Sequence, residues 1–293
     1  MSLQDPRCFA DMRCRLAESP VWDALNNTLY WCDIVSGEVH AIHLSSRKHR
    51  YWRFNGPVGS VGLAQSGRLV VAIADTVHFF DPVREKLTQL ARVLNDWPTQ
   101  RLNDGKVGPD GAFWVGSMDD RPDKEPIAAL YRVTADGRVR HVIARLKVSN
   151  GLAWSCDGRV MFHSDSRGSW IDRWEFDPAT GEIGSRVRLC WLTDKDGRPD
   201  GAATDAANRY WSAGVSAGCL NCFDMDGRRR QRTALPIPAP TMVCFGGPDM
   251  CTLFVTSMRE GLSLDQLEKS PQSGGIFMLR TNVPGIPINR FAD

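Results

Sequence analysis

The chain has 293 residues, 42% hydrophobic and 24% charged, and its 36 basic side chains nearly cancel 34 acidic ones to leave a formal net charge of +2. That is the composition of a folded globular protein with a large core. Without a basic stripe it excludes binding to nucleic acid or an anionic membrane through charge alone, and the one local run, Arg228-Arg229-Arg230, reads as a solvated turn.

The first residues, "MSLQDPRCFADMRCRL", lack the apolar core of a secretion signal, and no later window is apolar for long enough to span a bilayer, so a cytoplasmic protein is expected. Nine cysteines without paired spacing fit buried thiols in a reducing compartment. Cys219 and Cys222 in "CLNC" have ligand-like spacing, yet no second pair or histidine accompanies them, and no structural metal is expected there.

Along the chain one pattern recurs, a polar turn followed by an apolar strand that ends near a small or acidic residue. It is read in "NNTLYWCDI" from Asn26, "SGRLVVAIAD" from Ser66, "DGAFWVGSM" from Asp110, "DGRVMFHSDS" from Asp157, "ANRYWSAGV" from Ala207 and "DMCTLFVTS" from Asp249. The spacing, roughly 40 to 50 residues, is that of four-stranded propeller blades. A second set supplies outer strands: "GEVHAIHL", "TVHFFDP", "ALYRVTADGRV", "WIDRWEFDPATGEI", "CLNCFDMDGR" and "GGIFMLR". Six such units predict an all-β fold, one six-bladed β-propeller over residues 1–293; a β-sandwich would give no reason for the repetition. The one helical stretch lies in "MREGLSLDQLEKSPQSGG" from Met258, with a serine able to cap it.

Aligned on the glycine expected to open each innermost strand, the repeats read "SVGLAQ", "LNDGKV", "VSNGLAW", "RPDGAAT" and "VCFGGP", while "LAESPVW" has Ser19 in the glycine's place. The residue before the marker is Glu18, Val61, Asp104, Asn150, Asp200 and Phe245 in blade order. Singly, "ESP", "SNG" and "PDG" are ordinary turn sequences. At one register of a repeat, four oxygen-bearing side chains should converge at the channel mouth, where carboxylates repel unless a cation sits between them.

These segments, with "RLNDGKVGPDGAFWVGSM" from Arg101 and the closing "CFGGPD", "LFVTSMREGLS" and "GGIF", resemble the SMP-30/gluconolactonase/luciferin-regenerating-enzyme family over nearly the whole chain, and its sugar-lactone hydrolases in particular. The resemblance implies that Glu18, Asn150 and Asp200 bind one divalent metal, that Arg101 and Asn103 hold the substrate, and that Asp104 sits beside the metal through water. The family's usual Gly-Glu-Gly-Pro opening here reads Ala17-Glu18-Ser19-Pro20. Some members touch sugar hydroxyls with an acidic residue after the "GSM" strand; the candidates here are Asp120 and Arg121, beside Asp119, and Arg121 could alter substrate choice.

On this reading three side chains leave metal positions open for water and substrate. Asp200 is the first candidate for general base and Asp104 the alternative. Arg101 offers a planar fork of donors and Asn103 both a donor and an acceptor, whereas Lys106 is expected to pair with a carboxylate or face solvent, outside the site. Ser19 lacks a histidine partner, His163 reads as a satisfied inner-strand histidine, and His40 and His43 fall on opposite strand faces. The expected reaction opens an aldono-1,4- or 1,5-lactone (glucono-, xylono-, arabinono- or galactonolactone) to its acid, in a monomer whose partner is that small molecule. Oxygen-only ligands favour Ca2+, with Mg2+ and Mn2+ compatible; the family likeness leaves Zn2+ and Fe2+ open. The rival readings are an organophosphate or other ester hydrolase on the same metal, and a non-enzymatic metal-binding propeller that binds proteins. "DDRPDKEP" from Asp119 and "TDKDGRPDG" from Thr193 are lid candidates.

Overall fold

Strand length in this molecule follows the spacing of its turns, and burial follows each strand's distance from a central axis. A computed structural model describes residues 5–293. Among these, β1 (Arg7–Ala10) is followed by β2 (Ala17–Asp23), β3 (Thr28–Asp33), β4 (Glu38–His43) and β5 (His49–Arg53), which form blade 1. Blade 2 holds β6 (Val58–Leu63), β7 (Leu69–Ile73), β8 (Thr76–Asp81) and β9 (Lys86–Arg92); blade 3 holds β10 (Gln100–Val107), β11 (Phe113–Asp119), β12 (Ala128–Val133) and β13 (Val139–Leu146). Blade 4 holds β14 (Ser149–Trp154), β15 (Val160–Asp165), β16 (Trp170–Phe176) and β17 (Ile183–Trp191); blade 5 holds β18 (Pro199–Thr204), β19 (Tyr210–Gly214), β20 (Cys219–Phe223) and β21 (Arg229–Ala234). Then come β22 (Pro240–Gly246), β23 (Thr252–Ser257), helix α1 (Leu264–Lys269) and β24 (Ile276–Arg280).

The predicted six-bladed β-propeller is thus the fold. Each apolar run of the first sequence pattern is the second strand of its blade, buried on both faces because blades stack face to face: β7 and β19 are buried along their whole length. The outermost strands alternate or turn polar, as in β21. One apolar cluster fills each blade junction. Val39, Trp52, Val71 and Phe80 join blades 1 and 2, for example, and Trp211, Phe245 and Phe277 join blades 5 and 6. The helix is short, and Ser263 and Gln266 form a capping box at its start.

Two features close the ring. The sixth sheet has the order β1-β24-β23-β22, so the first strand of the chain completes the last blade. Phe9 of β1 meets Phe254 edge-on at 5.2 Å between ring centroids, and the Arg47 guanidinium lies 3.8 Å from the Phe9 centroid, joining the seam to blade 1. At the far end from the site, the segment after β24 crosses beneath the channel. Its backbone or side chains bond blade 5 (Ala206 N to Pro284 O, 2.8 Å), blade 6 (Gly285 N to Met250 O, 2.9 Å), blade 1 (Arg290 Nη2 to Asp23 Oδ1, 2.5 Å), blade 2 (Phe291 N to Leu63 O, 2.8 Å) and blade 3 (Ala292 N to Gly111 O, 2.9 Å). Ile286, Pro287 and Ile288 line the channel with inner-strand residues such as Val61, Val107 and Phe245.

Because Phe9 supplies the buried packing of a seam otherwise closed by the β1–β24 pairing, Phe9→Ala should lower unfolding free energy by about 3 to 5 kcal/mol. Leu25→Ala, at a residue 80% exposed on a turn, should stay within about 0.5 kcal/mol. Urea denaturation of the two variants beside the parent checks this; equal midpoints would show that closure does not depend on that ring.

Candidate active site

The six innermost strands share one irregularity. Each carries a register shift at the same level, between Glu18 and Val21, Val58 and Ser60, Leu102 and Gly105, Asn150 and Ala153, Pro199 and Ala202, and Pro240 and Val243. A bulge adds a residue against the partner strand and re-aims the side chains beside it. Glu18, Asp104, Asn150 and Asp200 all sit at these bulges. The marker lies at the kink in blades 1, 4 and 5 (Ser19, Gly151 and Gly201) and borders it in blade 3 (Gly105). In blades 2 and 6 the shift falls earlier, at Gly59 and at Thr241-Met242, so Gly62 and Gly246 pair regularly beyond it and the expected equivalence of Val61 and Phe245 with the site residues does not hold. Gly151 is left-handed at φ 65°, and a Cβ there would come 2.3 Å from Tyr210 Oη and 2.4 Å from Ser164 Oγ. Ser19 adopts the same hand at φ 50° and its hydroxyl accepts from Val61 N at 3.0 Å, which accommodates the departure from the family's glycine.

A repeated carboxylate fixes the approach to two of these bulges. Asp33, at the end of β3, accepts from Arg15 N at 2.9 Å and Leu16 N at 3.1 Å, directly ahead of Glu18. Asp165, at the end of β15, accepts from Lys147 N at 2.8 Å and Val148 N at 3.1 Å, directly ahead of Asn150. The acidic residue seen closing the repeats thus holds the incoming site strand in place.

At the mouth, Asn150 Nδ2 donates to Asp200 Oδ1 and, at 3.1 Å, to Ser166 Oγ. Glu18 Oε2 accepts from Ser19 N at 2.7 Å, and Asp104 Oδ2 from Leu152 N at 3.1 Å. Asp104 Oδ1 is buried with no hydrogen-bond partner. Burial pushes the carboxyl groups of Glu18 and Asp200 well above their ordinary range, and their carboxylate neighbours add to it, Asp200 and Asp104 for Glu18 and Asp104 for Asp200. Burial also raises Asp104, against the pull of Lys106 and backbone N–H groups. Among the described residues no three His, Cys, Asp or Glu side chains are already gathered as one metal cluster. The set that fits a cation is mixed, Glu18 and Asp200 with the Asn150 amide and Asp104 alongside, oxygen donors that suit a hard ion.

Arg101, Asn103 and Asp120 meet as a hydrogen-bonded chain. Arg101 is 8% exposed; its Nε donates to Asp120 Oδ1 at 3.1 Å and its Nη1 to Asn103 Oδ1 at 3.0 Å, while Asn103 Nδ2 donates to Ser149 O at 3.0 Å. Asp120 therefore belongs beside Arg101. Arg121 points elsewhere: its Nε and Nη2 donate to the buried Asp119 carboxylate at 2.9 and 2.8 Å, which also accepts from Glu125 N at 2.7 Å and ties residues 119–125 together. Both lid candidates border the site, the second through Arg198, whose charge acts on Asp200.

Lys106 departs from expectation. It neither faces solvent nor forms an ion pair; its Nζ reaches from blade 3 to Ala202 O of blade 5 at 2.6 Å, in the channel below the carboxylates. Its spacing of two from Asp104 gives both residues one strand face, the signal by which it could have been found. Burial lowers its affinity for a proton, and the charges of Asp104 and Glu18 oppose that. Ser166 was also missed, since nothing in "HSDS" marks it as the partner of Asn150. His163 is wholly buried, takes or gives one hydrogen bond with Ser149 Oγ at 2.8 Å, and is pushed down to about 3 by burial. His40 stacks on Trp31 while His43 Nδ1 accepts from Ser46 N at 3.1 Å, on separate faces as expected. Cys219 and Cys222 are both buried in β20, and all nine cysteines are free thiols.

The model of the SMP-30/Gluconolactonase/LRE-like region matches residues 16–259 of this chain. A 6-deoxy-6-sulfogluconolactonase of Pseudomonas putida is 35% identical over 287 residues, 98% of each chain, and regucalcin of Xenopus laevis is 34% identical over 291 residues, 97% of each. The crystal structure of a calcium-binding protein, regucalcin, from Agrobacterium tumefaciens superposes with a TM-score of 0.93 at 28% identity, covering 98% of this chain and 97% of that one. With its six bladed sheets, its acidic mouth and a family match across most of its length, the chain belongs to the SMP-30/gluconolactonase/LRE-like family.

Proposed function

We propose that this protein hydrolyses a sugar acid lactone, an aldono-1,4- or 1,5-lactone, to the open-chain acid, with one divalent cation held by Glu18, Asn150 and Asp200. The observation that carries the reading is the mouth itself. Three raised carboxyl groups stand there within mutual electrostatic range, one of them with an orphaned oxygen, beside a buried guanidinium and amide poised for hydroxyl groups. Membership of a family that includes a named sugar lactonase supports it, and the relatives named regucalcin favour Ca2+ as the ion.

A divalent cation bound there supplies Lewis acidity to the lactone carbonyl. The protein's own groups do the rest. Arg101 and Asn103 bind ring hydroxyls, with Asp120 holding the guanidinium in plane. Asp200 is the general base in this proposal, because it keeps partial exposure at the mouth where water arrives, whereas Asp104 is 2% exposed. It takes a proton from the attacking water as the new C–O bond forms at the carbonyl carbon. The ring C–O bond then breaks, and its oxygen takes that proton back from Asp200 and leaves as the sugar hydroxyl. The expected working form is the monomer.

Purified protein with Ca2+ should open glucono-, xylono-, arabinono- or galactonolactone faster than the spontaneous rate and leave phosphotriesters unchanged; acid release from none of the lactones sinks the proposal. Glu18→Gln and Asp200→Asn should each lower kcat by about a hundredfold or more with an unchanged far-UV spectrum. Asp104→Asn should keep measurable turnover.

Acidity gives a second check. Without metal, the raised carboxyl groups bind protons more tightly folded than unfolded, so their contribution to stability is complete below about pH 4 and is lost as pH rises through the raised values. A cation replaces those protons. The Tm difference between Ca2+ and chelator should therefore grow with pH above about 4. A difference that is flat with pH, or zero, argues against a cation at these groups.

A further inference from the structure

An innermost strand is paired on one side only, so its other edge presents backbone carbonyls that need donors from elsewhere. Near the bulges, side chains of other blades supply them. Asn103 Nδ2 donates to Ser149 O at 3.0 Å, Tyr210 Oη to Gly151 O at 2.8 Å and Thr241 Oγ1 to Ala17 O at 2.5 Å, each between adjacent blades. The bond from Lys106 Nζ to Ala202 O, at 2.6 Å, has a longer span: it leaves blade 3, passes blade 4 and ends on blade 5.

Its two ends are placed alike with respect to the site. Lys106 stands two residues after Asp104, and Ala202 two residues after Asp200, so the bond joins the two carboxylate-bearing strands just below the carboxylates. Between them lies β14, which holds both groups: its Leu152 N donates to Asp104 Oδ2 at 3.1 Å, and its Asn150 Nδ2 donates to Asp200 Oδ1. Two buried carboxylates held against one strand repel each other, and that repulsion drives β10 and β18 apart.

The Lys106 amine opposes the separation. Donation to a carbonyl needs only an N–H, which the amine has whether or not it is protonated. Its surroundings keep it on that acceptor, since Val61, Val107, Ala153, Met242 and Phe245 line the channel around it and a polar head without a partner there is unfavourable.

We propose that Lys106 is a positioning residue that holds the Asp200 strand in place against the repulsion of Asp104, and thereby sets the size of divalent cation the mouth accepts. The inference rests on the cation-binding part of the proposed function and adds what decides the choice of ion. Oxygen ligands lie about 2.0 to 2.1 Å from Mg2+ and about 2.3 to 2.6 Å from Ca2+, so a mouth free to widen loses the smaller ion first.

The test is calorimetry of Ca2+ and of Mg2+, each alone and without lactone, on the parent, Lys106→Met and Lys106→Arg. Lys106→Met should weaken Ca2+ by about tenfold and Mg2+ by about thirtyfold or more, and Lys106→Arg, which keeps a donor, should recover part of both losses. A lysine that acted only as a nearby positive charge gives the opposite sign, because its removal would tighten both ions. Unchanged or tighter binding in Lys106→Met therefore overturns the proposal. So does an equal loss of both ions, which would leave Lys106 a general support of the fold. In an Asp104→Asn background the repulsion is gone, and Lys106→Met should then weaken Ca2+ by less than about threefold; the same loss as in the parent also overturns the proposal. Lys106→Gln, one bond too short for the Ala202 carbonyl, should behave as Lys106→Met does and takes its place if that variant does not fold.

With no lactone present, the outcome is independent of the catalytic reading. Should the parent bind neither ion, the cation-binding reading fails, and crystal structures of metal-free parent and Lys106→Met decide separately. Asp104 and Asp200 carboxyl groups farther apart in the variant uphold the positioning role; an unchanged separation overturns it.

Discussion

Buried carboxylates of like charge would separate if they could, and in this molecule they cannot. Glu18, Asp104 and Asp200 come from blades 1, 3 and 5, and each is carried at a strand bulge whose blade is fixed to its neighbours by a filled apolar junction. Burial first, and then this repulsion, raise the proton affinity of Glu18 and Asp200. A ring of stacked sheets is suited to this, because moving one blade outward would open two junctions at once. What the ring holds apart from relaxation, protons or a cation must neutralise.

Much of this was legible before any coordinates. The period was visible because the second strand of every blade is aromatic or β-branched and bounded by turns, as in Leu69–Ile73 and Thr252–Ser257. The level of the site was visible because a bulge needs a small or left-handed residue, which left Gly151 and its serine counterpart Ser19 in register. Other features depend on residues far apart in the chain. Nothing near Phe9 says that it completes a sheet with strands some 270 positions later, as its pairing across β24 shows. Lys106 looked like a surface cation because polarity was read without its partner, the Ala202 carbonyl two blades away. Arg121 looked like a substrate contact for the opposite reason: the Asp119 that occupies it is two residues distant, and adjacency in sequence did not show which of the two faces inward.

The distribution of charge around the axis also separates roles. Beneath the mouth the Lys106 amine donates to the Ala202 carbonyl; at the mouth the carboxylates dominate; beside it Arg101 is paired with Asp120. Pairing of this kind holds net charge low while keeping the local field strong, which agrees with a chain whose formal charge is only +2.

The segment that crosses under the channel has a consequence for traffic. With Ile286 to Ile288 across the far end, molecules cannot pass through the ring, so whatever is admitted past the lid has to leave by the way it came. Turnover is then a matter of exchange at one doorway rather than flow along a pipe. Whatever is bound at the mouth must clear it before a second molecule can take its place.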